Sequence, residues 1–209
     1  METFEQFATR WKETILPLKK RASQATMGSH IRLLNARLGS CPLVDITYAQ
    51  LQQVFSDLAK EQQPRSVKNI HGTLRNLLGQ AKREGLIKEF PTPVLPKIRK
   101  TQQDWLTLDQ MRTVIKGCAD HRQKAFTATL AETGARIGEI LALKVNDIKE
   151  QTLSINKSVY LGNCQDPKTS SAFRDIYVSN QLREMLRGCS SEGFFFKTRS
   201  GGPWWAHGM

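Results

Sequence analysis

Glu132-Thr133-Gly134-Ala135-Arg136-Ile137-Gly138-Glu139-Ile140-Leu141-Ala142-Leu143, followed by Lys144-Val145-Asn146-Asp147-Ile148, is the stretch around which this 209-residue chain is organised. Glycine suits the left-handed position that closes a helix, so one helix is expected to end at Gly134 and another to open at Arg136. Ile137, Ile140, Leu141 and Leu143 recur with the spacing of a buried helical face. Arg136 then stands at a helix N-terminus, where backbone N–H groups and the dipole already favour an anion. Its guanidinium would add to that preference and make a phosphate ligand. Read alone, the same residues also describe a plain helix-turn-helix elbow whose arginine is only solvated.

Composition narrows the choice of partner. The chain holds 31 Lys and Arg against 19 Asp and Glu, a formal net charge of +12. Such an excess favours a polyanion, nucleic acid above all, through phosphate neutralisation and counterion release. The excess sits in front: residues 1–90 hold 14 basic against 8 acidic side chains, and residues 91–103 hold 3 against none. A hydrophobic content of 39% is enough for real cores. Cys41, Cys118, Cys164 and Cys189 form no C-x-x-C pair, which argues against zinc and against a disulfide framework. Charged residues interrupt the apolar N-terminus, and no apolar run is long enough to span a bilayer. A soluble cytoplasmic protein is the expectation, with no membrane partner.

The front of the chain reads as four amphipathic helices. Phe4, Phe7, Trp11, Ile15 and Leu18 make one apolar stripe over residues 3–18, and Met27, Ile31, Leu34 and Leu38 another over residues 23–38. Thr47 and Gln50 form a capping box that opens a third helix, with Leu51, Val54, Phe55 and Leu58 inward. Beyond Pro64 a fourth helix runs to about residue 84. It buries Val67, Ile70, Leu74, Leu77, Leu78 and Ala81, and shows Arg65, Lys68, His71, Arg75, Lys82 and Arg83 on its polar side. That basic face is either a phosphate-contacting surface or an ordinary solvated one. Residues 91–103 carry Pro91, Pro93 and Pro96 with Lys97, Arg99 and Lys100, and read as a semi-extended basic linker able to cross a DNA backbone.

A second domain is expected from residue 104. Thr107 and Gln110 form another capping box, followed by a helix using Leu108, Met111, Val114 and Ile115. The helix over residues 121–133, with Phe126 and Leu130, leads into the Gly134 turn. The period then shifts to alternation at residues 153–156 and 175–178, with a turn-rich loop over residues 162–171 between them. A helix over residues 180–187 follows, and Phe194-Phe195-Phe196 reads as a buried strand or plug. The fold class is therefore mainly α with a small antiparallel β-sheet.

The Thr133-Gly134-Ala135-Arg136-Ile137-Gly138-Glu139 run, with Leu143 and Asp147-Ile148 after it, resembles the first arginine box of the tyrosine recombinases, the phage-integrase family. Residues 1–90 are similar to that family's four-helix, SAM-like core-binding domain. Residues 104–209 match the first part of its catalytic domain, with residues 91–103 as the linker. Pro167-Lys168-Thr169, followed by Arg174, resembles the family's lysine hairpin. The resemblance implies site-specific strand transfer on double-stranded DNA through a 3′-phosphotyrosyl link, carried out by protomers assembled on the DNA. A planar, permanently charged guanidinium suits a pentavalent phosphorane, and that role falls to Arg136. Lys168 would protonate the departing 5′-oxygen, while Glu139 supports the helix and neighbouring charge. No cofactor, metal or small-molecule substrate is implied, and the setting would be a bacterial or phage-encoded, nucleoid-associated protein.

The family continues with a His-x-x-Arg box, a further His or Trp and the nucleophilic tyrosine. None of these is found here: His207 is followed only by Gly208 and Met209. Tyr48, Tyr160 and Tyr177 do not take the nucleophile's place. A C-terminally truncated recombinase that binds DNA without cleaving it is the expectation. Phe194–Phe196, Trp204 and Trp205 would then lack packing partners. The alternative is a non-catalytic DNA-binding regulator that uses the partial catalytic domain for self-association.

Overall fold

A computed structural model describes residues 1–99, 104–166 and 173–204. It divides the chain into two compact units, Met1–Gln102 and Gln103–Met209. The first unit is built on helices α1 (Phe4–Thr14), α2 (Arg21–Leu38), α3 (Tyr48–Glu61) and α4 (Pro64–Arg83). Local chemistry sets their ends. Thr3 with Gln6 and Thr47 with Gln50 form reciprocal capping boxes on α1 and α3, which satisfy N–H groups a helix leaves orphaned. Pro64 opens α4, where its missing N–H costs nothing. The four stripes meet in one core around Phe4, Phe7, Leu34, Leu51, Phe55, Leu58, Leu74 and Leu77. Each such side chain contributes about 1.5–3 kcal/mol by leaving water.

Two front-domain expectations are corrected. Leu18 does not continue the α1 stripe: α1 gives way at Ile15 to a short 3-10 turn, Leu16–Leu18, around Pro17, and Leu18 is 79% exposed. Proline at that point cannot extend an α-helix. His71 is not a polar-face residue. It lies buried with its ring edge-on to Phe55, centroids 5.4 Å apart. One turn beyond Val67, it falls at the margin of the apolar stripe. Burial, with Arg75 nearby, holds its imidazole below the usual histidine range.

After α4 the chain turns at Gly85 (φ 74°), where a left-handed conformation favours glycine. Leu86, Phe90 and Leu95 then pack against the helical core. The beginning of the stretch expected to be a linker is thus docked on the first unit.

The second unit carries helices α5 (Leu108–Lys116), α6 (His121–Thr133), α7 (Ile137–Leu141) and α8 (Asn180–Arg187). Its strands are β1 (Thr152–Ile155), β2 (Ser158–Tyr160), β3 (Asn163–Gln165) and β4 (Arg174–Tyr177). β1 pairs antiparallel with β4, Thr152 opposite Tyr177 and Ile155 opposite Arg174. β2 pairs antiparallel with β3, Ser158 opposite Gln165. This second hairpin corrects the expectation of a loop from residue 162. Leu161 (φ 47°) and Gly162 (φ 75°) both take positive φ at its turn, the geometry that matches the twist of a two-residue hairpin.

The core of this unit gathers Ile140, Leu141, Leu143, Leu153, Ile155, Leu182, Leu186, Phe195 and Phe196. The expectation that residues 194–196 lack partners is overturned. Phe195 N–H donates to the Leu143 carbonyl at 3.0 Å and Trp204 N–H to the Phe196 carbonyl at 2.8 Å. Phe196 stands edge-on to Phe126, centroids 5.2 Å apart, and Trp204 lies 6.0 Å away on another side. Trp205 and His207 fall outside the described residues.

The α5 stripe is also corrected. The Thr107–Gln110 capping box forms, yet no residue of α5 is buried; Leu108 and Val114 are exposed. Met111 and Ile115 line a groove of about 520 Å³ with Ala128, Leu182 and Met185. Among the described residues, no helix is long and apolar enough to cross a membrane. No cluster of three or more His, Cys, Asp or Glu among them could hold a metal ion.

Candidate nucleic-acid interface

The Gly134 turn is built as its sequence demands. Gly134 caps α6 in the left-handed region (φ 59°), its N–H donating to the Leu130 carbonyl. The Thr133 hydroxyl accepts from Ala135 N–H at 3.2 Å and donates to the Thr129 carbonyl at 2.6 Å. These contacts fix the direction in which Arg136 leaves the turn. Ala135, Ile140 and Leu141 are buried, which seats α7 on the core. Ile137, expected on the buried face, is instead 54% exposed, because α7 has only five residues and turns its first side chain outward.

Gly138 explains how closely α7 sits on β2. A Cβ there would lie 2.7 Å from Ser158 Oγ and 2.8 Å from the Val159 carbonyl oxygen. The carbonyl is backbone and cannot swing aside, so a larger residue would force α7 off the strand.

Glu139 is the centre of the site. Its carboxylate is 2% exposed and accepts three hydrogen bonds. Arg136 Nη1 reaches Oε1 at 2.8 Å, Arg136 backbone N–H reaches Oε2 at 3.0 Å, and Arg174 Nη2 reaches Oε2 at 2.9 Å. Burial pushes this carboxyl up. The Arg174 guanidinium, the Arg136 N–H and the Arg136 guanidinium outweigh burial and hold it below the usual carboxylate range. The helix N-terminus expected to receive an external anion therefore already holds one, its own Glu139. What remains for a ligand is the Arg136 side chain, 71% exposed and tethered at one nitrogen. A guanidinium has five N–H donors in a fixed fork, so a tether on Nη1 leaves the others free to meet a second anion.

The flanks are also charged. Asp175 on β4 accepts from Lys149 Nζ at 2.8 Å and from Ser154 Oγ, and Lys149 followed by Ser154 holds its carboxyl below the usual range. Lys157 pairs with Asp166 at 2.6 Å. Lys168, the expected proton donor, lies outside the described residues.

In the first unit α4 carries no acidic residue over its whole length. Arg65, Lys68 and Arg75 are exposed, and their three- and seven-residue spacing places them along one face. Gly72 lies on that face with open space around it, so no side chain stands between Lys68 and Arg75 there. Lys82 differs from them, since its Nζ pairs with Glu89 at 3.0 Å. Lys97 and Arg99 are exposed in the segment after α4; Lys100 falls outside the described residues.

Two features escaped the sequence. Arg174 meets Glu139 across 35 positions, a contact no local pattern encodes. The close approach at Gly138 had one sequence cue, a glycine inside an otherwise apolar helical pattern.

No family model matches the sequence. A protein named "Integrase" from Saccharopolyspora erythraea is 28% identical over 190 residues, which take in 81% of this chain and 42% of that protein. The chain thus spans about two fifths of the length of the curated relative it matches. The Tn1549 transposon integrase, solved in complex with a circular intermediate DNA, superposes with a TM-score of 0.81 at 18% identity, over 99% of this chain and 75% of that one. The lambda integrase tetramer bound to a Holliday junction gives a TM-score of 0.76 at 16% identity, over 99% of this chain and 63% of that one. Fold and sequence likeness agree with the arginine-box resemblance: the chain is similar in sequence to an integrase and shares the fold of integrases of known structure.

Proposed function

We propose that this chain is a DNA-binding integrase module that holds duplex DNA through phosphate contacts and presents Arg136 to one backbone phosphate. The observation that carries the reading is the Arg136 guanidinium, largely exposed yet fixed by the buried carboxylate of Glu139, within an integrase fold. On this reading Arg65, Lys68 and Arg75 on α4, together with Lys82, Lys97, Arg99 and Lys100, neutralise phosphates and position the duplex without reading its sequence. Arg136 stabilises charge on a phosphorane, and Lys168 delivers a proton to the departing 5′-oxygen. No tyrosine of this sequence is assigned the attacking role, so binding is the activity proposed. The protein named in each solved complex is bound to DNA, which supports duplex DNA as the partner.

The triple variant Arg65→Ala/Lys68→Ala/Arg75→Ala tests the assignment of α4. Removing three phosphate contacts should flatten the slope of log affinity against log salt by roughly 2–3 and weaken binding alike on unrelated duplex sequences. Fluorescence anisotropy on labelled duplexes reads both. An unchanged slope would remove α4 from the interface.

A second reading adds self-association on DNA. The exposed apolar side chains Trp105, Leu106 and Leu108 favour it, since contiguous exposed apolar surface marks interaction sites. Sedimentation velocity with and without duplex separates the readings: a monomer in both conditions opposes self-association.

A further inference from the structure

We infer that Gln52 is a positioning residue that fixes where the basic arm leaves the first unit. The inference rests on the DNA-binding reading above. Gln52 lies on α3 and uses both ends of its amide on one distant residue. Its Oε1 accepts from Val94 N–H at 2.8 Å, and its Nε2 donates to the Val94 carbonyl at 3.3 Å. A single side chain thereby meets both the N–H and the C=O of one residue, as a neighbouring strand would. The amide is itself held from both sides. Tyr48 Oη donates to its Oε1 at 3.2 Å, and its Nε2 also donates to Ser56 Oγ at 3.4 Å. Tyr48 and Ser56 sit four residues before and after Gln52, so all three share one face of α3.

Val94 is itself 70% exposed although Pro93 before it is buried, so its own tie to the fold is the backbone pairing with Gln52, which adds to the packing of its neighbours. Leu95 next to it packs on the core, while Lys97, Ile98 and Arg99 are exposed. At no more than about 3.5 Å per extended residue, Arg99 lies within roughly 18 Å of the clamp. Pro96 narrows the path further by restricting Leu95 to extended conformations. An arm that leaves the fold at a fixed point and in a fixed direction loses less conformational freedom when its cations meet phosphates. Gln52 therefore acts on duplex affinity through Lys97 and Arg99 without touching DNA itself.

A double-mutant cycle on the full chain tests this. Gln52→Met keeps side-chain length and removes both hydrogen bonds to Val94. Its effect on duplex affinity is measured by anisotropy in the native background and in Lys97→Ala/Arg99→Ala. The expected loss is roughly three- to tenfold in the native background, and close to none once the arm cations are gone. Amide exchange should accelerate at Val94 in Gln52→Met while the α4 amides stay protected. An equal loss in both backgrounds, or none in either, would overturn the inference alone. Absence of duplex binding by the unsubstituted chain would overturn the functional reading and this inference with it.

Discussion

Glu139→Ala is expected to destabilise the second unit by about 2–3 kcal/mol and to release Arg136. Removing one partner of a buried ion pair commonly costs about 3–5 kcal/mol, because a charge is left buried and alone. Here the two guanidiniums keep part of their hydration, at 71% and 31% exposed, so the cost falls at or below the low end of that range. Thermal unfolding followed by circular dichroism measures the loss. The dependence on pH is a sharper check. The folded carboxyl titrates below its ordinary value of 4.5, so the unfolded chain takes up the proton first. The contribution of this carboxylate is therefore fully present above about pH 4.5. It disappears as pH falls through the lower folded value. Glu139→Gln should cost stability at pH 7 and progressively less in acid. An equal cost at pH 7 and pH 3 would show that the charge is not what holds the site.

Phe196→Ala should have the largest effect on stability, about 3–5 kcal/mol, and the damage should stay in the second unit. Phe196 is fully buried and touches Phe126 on one side and Trp204 on another. Its removal leaves a cavity bounded by two aromatic rings that cannot both collapse into it. The first unit has its own core, so the α2, α3 and α4 amides should keep their protection in hydrogen exchange while those around residues 140–196 lose theirs. Uniform loss across both units would contradict the division of the chain, and a melting temperature unchanged within about 1 °C would contradict the packing.

Features legible in the sequence share a local cause. The capping boxes at Thr47 and Thr107 need only side chains three residues apart, and both form. The apolar stripes of α2, α3 and α4 follow helical periodicity, and their inward residues are buried. Gly134 closes α6 because a left-handed residue is needed there. What stayed hidden depends on partners far away in sequence or on exposure that periodicity does not report. The α5 stripe has the right spacing, yet only Met111 and Ile115 are half-buried while Leu108 and Val114 stay exposed, and spacing alone cannot show how far an apolar face is met. The β2–β3 hairpin consists of three-residue strands joined through Leu161, a side chain rarely found at positive φ, so the turn signal at Gly162-Asn163 reads as the start of a loop rather than of a strand. At the site, Arg136 and Glu139 were legible as neighbours on one helix. That Arg174 shares the same carboxylate, and that Gly138 exists to let α7 approach β2, belong to tertiary structure.

The central claim is that the basic front unit and the Arg136 site meet the phosphates of duplex DNA. Its most direct test is the affinity of the intact chain for a labelled duplex, measured by anisotropy at a series of salt concentrations. A protein neutralising six or more phosphates should lose roughly 10³-fold or more in affinity between about 50 and 200 mM salt. That steep loss, with little preference among unrelated duplex sequences, is the expected result. Weak binding that barely responds to salt would contradict the account, because the chain's excess of positive charge would then have no part in what it binds.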